Sequence, residues 1–133
     1  MSQEDMVAFA HRFAAAFNLG LEEFMAFHAE DVVHVTAPEW PERGTYRGRE
    51  AVRGLWASIL VEYEQYEIEV DDVIVLDENR VLSKVRLRAR GAASGVETTT
   101  PVYTVGTERG GLVSRVEYFV DEAGALEAAG LRG

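Results

Sequence analysis

The sequence contains no cysteine and only three prolines among its 133 residues. The lack of cysteine excludes disulfide bonds and thiolate metal ligands, and it is typical of proteins that work in a reducing compartment. No apolar run reaches the roughly 18 residues that a membrane-spanning helix needs. The acidic start at residues 1–5 has neither the charged n-region nor the apolar h-region of a secretory signal. These features predict a cytoplasmic protein without a membrane partner.

Basic residues are in the minority. Lys and Arg total 13 against 23 Asp and Glu, which gives a formal net charge of −10. Nucleic-acid binding depends on cationic side chains that neutralise phosphates, so this balance argues against nucleic acid as a partner. Hydrophobic residues make up 47% and charged residues 27% of the chain, as in ordinary globular domains. The length fits a single domain that covers residues 1–133.

Several familiar catalytic motifs are missing from the sequence. There is no His-Glu-x-x-His segment, no His-x-His pair and no carboxylate cluster at metal-ligand spacing. No serine stands in a nucleophile-elbow context. The glycines Gly106, Gly110 and Gly111 belong to a predicted hairpin and not to a phosphate-binding loop. We therefore predict no metal and no cofactor.

Apolar periodicity predicts three helices before the main run of strands. The first starts at Ser2 or Asp5 and ends near Asn18, and its apolar residues recur at spacings of three and four. The second covers residues 21–28, and the third opens at Gly48. A short C-terminal helix is predicted between the cap Asp121 and residue 129.

Alternating residues predict a set of strands. A short strand covers residues 31–36, a brief extended piece covers residues 45–47, and a longer strand covers residues 66–76. The alternation of that longer strand changes phase at Asp71 and Asp72, which indicates a β-bulge.

The last part of the sequence reads as a meander of three long antiparallel strands. They cover residues 81–90, 96–107 and 112–120, and each turn contains glycine. Helices followed by such a run of strands are typical of an α+β domain. A curved wall of strands under a helical cover predicts an enclosed small-molecule pocket.

A basic row marks one face of the strand at residues 81–90. Lys84, Arg86, Arg88 and Arg90 alternate there with apolar or small residues. Three interpretations fit this pattern: a solvated face paired with acidic residues on neighbouring strands, a dimer contact rich in ion pairs, or an anion-binding row that points into the pocket.

Two side chains are candidates for proton transfer. Glu117 shares a strand face with Phe119, so it is a general base or acid if that face is concave, or the partner of an arginine on the next strand. His34 is the only histidine on a predicted strand, where it is either a hydrogen-bonded core residue or a catalyst. His11 and His28 are expected on helices, facing solvent or near a helix end.

Amphipathic rings are the candidates for ligand binding. Such rings suit a flat apolar ligand with a few polar groups. Trp56 and Tyr63 also share the apolar stripe of the third helix, so ordinary core packing stays open for both. The candidate rings are Trp40, Tyr46, Trp56, Tyr63 and Tyr103.

Residues 40–53, with the sequence Trp-Pro-Glu-Arg-Gly-Thr-Tyr-Arg-Gly-Arg-Glu-Ala-Val-Arg, resemble the loop-to-helix signature of SnoaL-like proteins. That family belongs to the superfamily of nuclear transport factor, ketosteroid isomerase and limonene epoxide hydrolase. Residues 31–33, the meander, residues 117–121 and residues 125–131 resemble the same family. The resemblance implies a cone-shaped α+β barrel, in which a strongly curved, mostly antiparallel sheet wraps over three N-terminal helices, with a short C-terminal helix. It also implies a homodimer formed through the outer sheet face.

The catalytic residues of the superfamily do not carry over to this sequence. Isomerase-like members place an Asp before a proline at the end of the first strand, where Ala37 stands here. Their oxyanion-hole Tyr would fall at Phe13 or Phe17. Hydrolase-like members use an Asp-Arg-Asp set, for which Glu117 matches the last acid while Arg88 replaces another.

Three hypotheses about function follow. The first is an isomerase, cyclase or hydrolase that uses general acid/base chemistry on a hydrophobic ligand, with Glu117 or His34 oriented by Tyr46 or Tyr103. The second is a non-catalytic binding protein for a small hydrophobic molecule. The third is a dimeric interaction module.

Overall fold

The computed structural model describes residues 1–130, so Leu131, the last residue of the C-terminal resemblance, lies outside it. Within that range four helices accompany one six-stranded sheet with the strand order β2-β1-β6-β5-β4-β3. The helices are α1 (Gln3–Leu19), α2 (Leu21–Met25), α3 (Arg49–Leu60) and α4 (Glu122–Ala128). The strands are β1 (His28–Val35), β2 (Thr45–Arg47), β3 (Tyr63–Val75), β4 (Arg80–Gly91), β5 (Glu97–Arg109) and β6 (Leu112–Phe119). The predicted α+β fold is confirmed, and the curved sheet stays open between its edge strands β2 and β3.

Helix α1 has clear signals at both ends. The Ser2 hydroxyl accepts a hydrogen bond from the Asp5 backbone N–H at 3.1 Å, and the Asp5 carboxylate accepts one from the Ser2 backbone N–H at 3.2 Å. Gly20 follows the helix with a φ of 146°, a conformation that favours glycine. The Asn18 side chain then exchanges two hydrogen bonds with the backbone of Ile68 and so ties the end of α1 to β3.

The second helix is shorter than predicted. It ends at Met25, and the first strand begins at His28 instead of residue 31. The Val113 N–H donates to the Phe27 carbonyl at 2.7 Å, and His28 lies opposite Val113 in the parallel pairing of β1 with β6. This pairing joins distant parts of the chain and overrides the local helical pattern. Placing His28 on a helix was therefore wrong.

Strands β3, β4 and β5 form the antiparallel wall. Their pairing places the predicted β-bulge between Val70 and Asp72, where the register shifts. A bulge adds a residue to one strand only, so it bends that strand and increases its twist. The bend helps β3 to curl over α1, whose end it holds through Ile68.

The two faces of the sheet carry different layers. The concave face holds α1, α2 and α3 over the larger core, whose buried members include Phe24, Val52 and Trp56. The convex face carries α4, and Ala125 of this helix and Ala129 directly after it pack on other buried residues. The sheet is therefore covered on both sides at its inner strands β5 and β6. None of the helices within residues 1–130 combines the length and apolar character needed to cross a membrane.

The basic row of β4 lies on the outer face and is largely paired with acidic neighbours. Arg86 contacts Glu69 at 3.2 Å and Asp71 at 2.8 Å, while Lys84 contacts Glu122 at 3.0 Å. The solvated, paired interpretation of this row therefore describes the protomer, and the row does not point into the pocket. Exposed pairs of this kind each contribute roughly 0–1 kcal/mol.

Replacing Leu82 tests the packing of α4 on the convex face. Leu82 is fully buried against Ala125 and Ala129. We expect Leu82→Ala to lower the free energy of unfolding by about 2–5 kcal/mol because a cavity opens under the helix. Urea unfolding measures the change. The matched control is Leu19→Ala, because Leu19 is 74% exposed and its truncation should change stability by less than about 0.5 kcal/mol. Equal losses in the two variants would contradict the packing.

Candidate functional site

A cavity of about 80 Å³ lies between the concave face of the sheet and the helices that cover it. Every strand from β3 to β6 contributes to its wall, together with α1, α2, α3 and the loop before β2. The lining residues are Ala10, Phe13, Ala14, Phe17, Phe24, Trp40, Trp56, Tyr66, Ile68, Val70, Ser83, Val85, Leu87, Val102, Thr104, Val116 and Tyr118. The predicted pocket is thus present and lies where the helical cover meets the wall.

Sequence periodicity explains why these residues share the cavity. Alternate residues of a strand project to one face, which brings Val116 and Tyr118 of β6 to the concave side. On α1 the lining positions recur at spacings of three and four, and two of them are the alanines Ala10 and Ala14. Alanine at these positions leaves space that a larger side chain would fill.

The wall of the cavity is aromatic and uncharged. Rings come from Phe13, Phe17, Phe24, Trp40, Trp56, Tyr66 and Tyr118. No side chain with a formal charge lines the cavity within the described range. Pockets for drug-sized ligands occupy roughly 300–1,000 Å³, so a cavity of about 80 Å³ suits a compact, mostly apolar guest.

A chain of buried polar side chains stands behind this wall. His28 Nδ1 lies 2.9 Å from the Phe24 carbonyl oxygen, and His28 Nε2 lies 3.0 Å from His34 Nε2. The other ring nitrogen of His34, Nδ1, lies 3.0 Å from the Tyr118 hydroxyl and 3.3 Å from Trp56 Nε1. Both histidines are at most 1% exposed, whereas Trp56 and Tyr118 line the cavity. The chain therefore connects the backbone of α2 to the cavity wall.

The end groups of this chain fix where each proton lies. A carbonyl oxygen only accepts, so His28 must donate to Phe24 from Nδ1 and present a bare Nε2. His34 must then donate from its own Nε2 and present a bare Nδ1. An indole N–H only donates, and Trp56 does donate to that Nδ1. The hydroxyl of Tyr118 donates to the same atom.

Burial keeps all members of the chain neutral. It lowers the pKa of His28 from 6.5 to about 4. Burial lowers the pKa of His34 well below its usual value, and the neighbouring His28 adds to this effect. Burial raises the pKa of Tyr118 well above 10. At neutral pH the site therefore offers hydrogen-bond donors and acceptors but no charge.

The model of the SnoaL-like domain matches residues 10–116 of this chain. The chain belongs to the SnoaL-like family. Solved structures agree on the fold. A protein of Burkholderia xenovorans described as NTF2-like is 26% identical, with a TM-score of 0.70, and the match covers 97% of this chain and 98% of that one. No curated protein matches the sequence.

Two further structures resemble this SnoaL-like domain at lower identity. A Catenulispora acidiphila protein with a ketosteroid isomerase-like fold, in complex with trimethylamine, is 17% identical with a TM-score of 0.74, covering 93% of each chain. A putative SnoaL-like polyketide cyclase from Jannaschia is 17% identical with a TM-score of 0.73, covering 96% of this chain and 92% of that one. At this identity the likeness concerns the fold alone.

The rings predicted to bind ligand are distributed over different parts of the SnoaL-like domain. Trp40 and Trp56 line the cavity. The Tyr46 hydroxyl donates to the Glu42 carbonyl at 2.7 Å and holds the loop before β2. Tyr63 is 37% exposed beside Tyr66, with 5.0 Å between ring centroids. Tyr103 packs in the cluster under α4, on the outer face.

The two candidates for proton transfer also differ in position. His34 is buried directly behind the cavity wall. Glu117 lies opposite Val105 in the sheet, and Val105 faces α4, so Glu117 is on the outer side. Its carboxylate accepts a hydrogen bond from Arg115 at 3.0 Å, a residue of the same strand and not of the next one. His34 is therefore the candidate next to the cavity.

Sequence reasoning missed Tyr66, Tyr118 and His28. The alternation of β6 identified Val116 and Tyr118 as neighbours on one face but did not say which face is concave. His28 was expected near a helix end, facing solvent, yet it is 1% exposed and bonded to His34. The six-residue spacing of the two histidines was the available signal. Within residues 1–130, no group of three or more His, Asp or Glu side chains could hold a metal ion.

The buried histidines should make stability depend on pH. Because the pKa of His28 is about 4 when folded and 6.5 otherwise, only the unfolded chain takes up this proton between those values. Stability should thus be complete above pH 6.5 and fall on acidification, by about 3 kcal/mol at pH 4 from His28 alone. Urea unfolding between pH 4 and pH 8 measures this slope.

Two variants separate this effect from the titration of carboxylates. His28→Phe removes one buried histidine and should flatten the slope by up to about 1.4 kcal/mol per pH unit. His11→Phe makes the same substitution at an exposed histidine of α1 and is the matched control. An unchanged slope in His28→Phe would show that His28 is not held neutral in the fold.

Proposed function

We propose that this SnoaL-like domain binds a small, predominantly apolar molecule in the cavity under α1. The observation that carries the proposal is the wall itself, which combines aromatic rings with a few polar groups, among them the point where Tyr118 and Trp56 meet the buried His34. Ligand sites of this kind are mostly apolar, with a few fixed polar groups that set orientation.

The protonation states of the groups around the cavity favour binding over general acid/base catalysis. An efficient acid or base has a pKa near the working pH. Burial moves the pKa of His34 down and that of Tyr118 up, so both stay neutral and exchange protons poorly at pH 7. Glu117 is paired with Arg115 on the other side of the sheet. These positions support the non-catalytic hypothesis.

One hydrogen bond in the site is compatible with a catalytic role. The Tyr118 hydroxyl is hydrogen-bonded to His34 at 3.0 Å, so a ligand that polarises the hydroxyl would act on both groups. An isomerase, cyclase or hydrolase would work through this pair. Turnover lost in Tyr118→Phe while binding persists would identify the protein as an enzyme.

The size of the guest is supported by the cavity and by one relative. A volume of about 80 Å³ is small for a polycyclic molecule. The Catenulispora acidiphila structure contains trimethylamine, which is a compact molecule. We therefore propose a guest with few non-hydrogen atoms.

Filling the cavity tests this function. Ala14 is buried and lines the cavity, whereas the adjacent Ala15 is exposed on the same helix. We expect the wild-type protein to bind members of a panel of small apolar molecules, and Ala14→Leu to abolish binding because the leucine occupies the space. Trp40 and Trp56 both line the cavity, so intrinsic fluorescence reports binding, and native mass spectrometry counts the bound molecules.

Ala15→Leu is the matched control and should bind as the wild type does. Thermal unfolding shows whether each variant stays folded. Failure of the whole panel to bind, with no co-purifying ligand in the native spectrum, would argue against the proposed function. Equal binding by the two leucine variants would place the bound molecule outside this cavity.

We also propose that the domain forms a homodimer through the outer sheet face. The outer row of β4 is basic and the adjacent row of β3 is acidic, with Arg86 opposite Glu69 and Arg88 opposite Glu67. A two-fold axis would bring the basic row of one protomer onto the acidic row of its partner. Arg88 is exposed and has no ion pair within residues 1–130, so it is available to a second copy.

Charge reversal at the outer face tests the dimer. Arg88→Glu should convert the dimer to a monomer because it opposes the acidic row of the partner. Light scattering after gel filtration measures the mass. Arg12→Glu reverses an exposed charge on α1 and should leave the dimer intact. A monomeric wild-type protein would contradict the proposal.

A further inference from the structure

We infer that the cavity selects a ligand with a hydrogen-bond acceptor, such as a small ketone, and that Tyr118 is the residue that donates to this acceptor. The inference rests on the proposed function, since it requires a guest in the cavity. It assigns a donor role to the polar point at Tyr118, and the buried histidines set that role.

His34 offers a single acceptor atom to the donors of the cavity wall. Its Nδ1 atom carries one lone pair, because its proton is on Nε2 and directed at His28. Two donors reach this lone pair, the Tyr118 hydroxyl at 3.0 Å and the Trp56 indole N–H at 3.3 Å. One acceptor site thus serves two donors. The wall therefore holds one donor more than the protein itself can fully use.

Tyr118 is the donor that can turn away from His34. The N–H of Trp56 is fixed in the plane of a ring that is 4% exposed and packed in the core. The hydroxyl hydrogen of Tyr118 rotates about its C–O bond. When a ligand oxygen comes within reach, this hydrogen can turn to it while Trp56 keeps the lone pair of His34 satisfied. No buried polar atom is left without a partner, so the exchange avoids the usual desolvation cost.

The same geometry gives no such gain to a ligand donor. A ligand N–H or O–H could bind the Tyr118 hydroxyl oxygen, but Tyr118 and Trp56 would still share the single lone pair of His34. No carboxylate lines the cavity within the described residues, so a ligand acceptor meets no negative charge there. The hydroxyls of Tyr66, Ser83 and Thr104 also line the cavity, and Ser83 and Thr104 border a second cavity of about 40 Å³. A carbonyl compound satisfies the surplus donor without a further requirement.

A pair of probes with one shape tests the selectivity. Cyclopentanone offers a carbonyl oxygen, and methylenecyclopentane replaces that oxygen by a CH₂ group. We expect the ketone to bind the wild-type protein about tenfold more tightly, as one hydrogen bond allows. In Tyr118→Phe the preference should vanish while the affinity for the hydrocarbon stays the same. Trp56 still satisfies His34 in this variant, so the fold should persist, and thermal unfolding checks this.

Nitrogen-15 NMR of the histidine side chains gives an independent readout on the wild-type protein. We expect His28 protonated at Nδ1 and His34 protonated at Nε2. Adding cyclopentanone should shift the Trp56 indole N–H resonance downfield, because its bond to His34 strengthens. The opposite tautomers, or equal binding of the two probes, would overturn this inference and leave the proposed function standing. Binding of neither probe would contradict both.

Discussion

The need to satisfy every buried polar group shapes this site. Four elements meet behind the cavity wall, and each contributes a group to one hydrogen-bonded chain: the Phe24 carbonyl of α2, His28 and His34 of β1, Trp56 of α3 and Tyr118 of β6. Within the described residues, no buried side-chain nitrogen or oxygen lacks a partner. Removing His28 or His34 would leave its neighbour unpaired at a cost of about 1–3 kcal/mol. The chain therefore holds the helical cover in register with the sheet.

Much of the fold was predictable because it depends on local patterns. The capping box at Ser2, the stop at Gly20, the bulge near Asp72 and the three-stranded meander all follow from short-range spacing and turn residues. The basic row of β4 was likewise assigned to one face from alternation alone. Such features need no knowledge of what lies on the other side of the molecule.

The site was less predictable because it depends on contacts between distant segments. The parallel pairing of β1 with β6 decides that His28 starts a strand, and nothing near His28 in the sequence specifies that pairing. Alternation placed Glu117 and Tyr118 on opposite faces but did not show which face is concave. The sequence therefore singled out the carboxylate of Glu117, and not the hydroxyl of Tyr118, as the site candidate. The proton order of the chain follows only once Phe24, His28 and Trp56 are seen together.

The loop that carries Trp40 shapes the cavity but contributes no group to the hydrogen-bonded chain behind it. Trp40 packs against Tyr118 with 5.3 Å between ring centroids, and its loop is held by hydrogen bonds from Thr36 and Tyr46 to the Glu42 carbonyl. Loops tolerate substitution and insertion better than packed strands do. Changes here would alter the shape and volume of the cavity while the histidine chain keeps its hydrogen bonds, so the space can change size without rebuilding the interior.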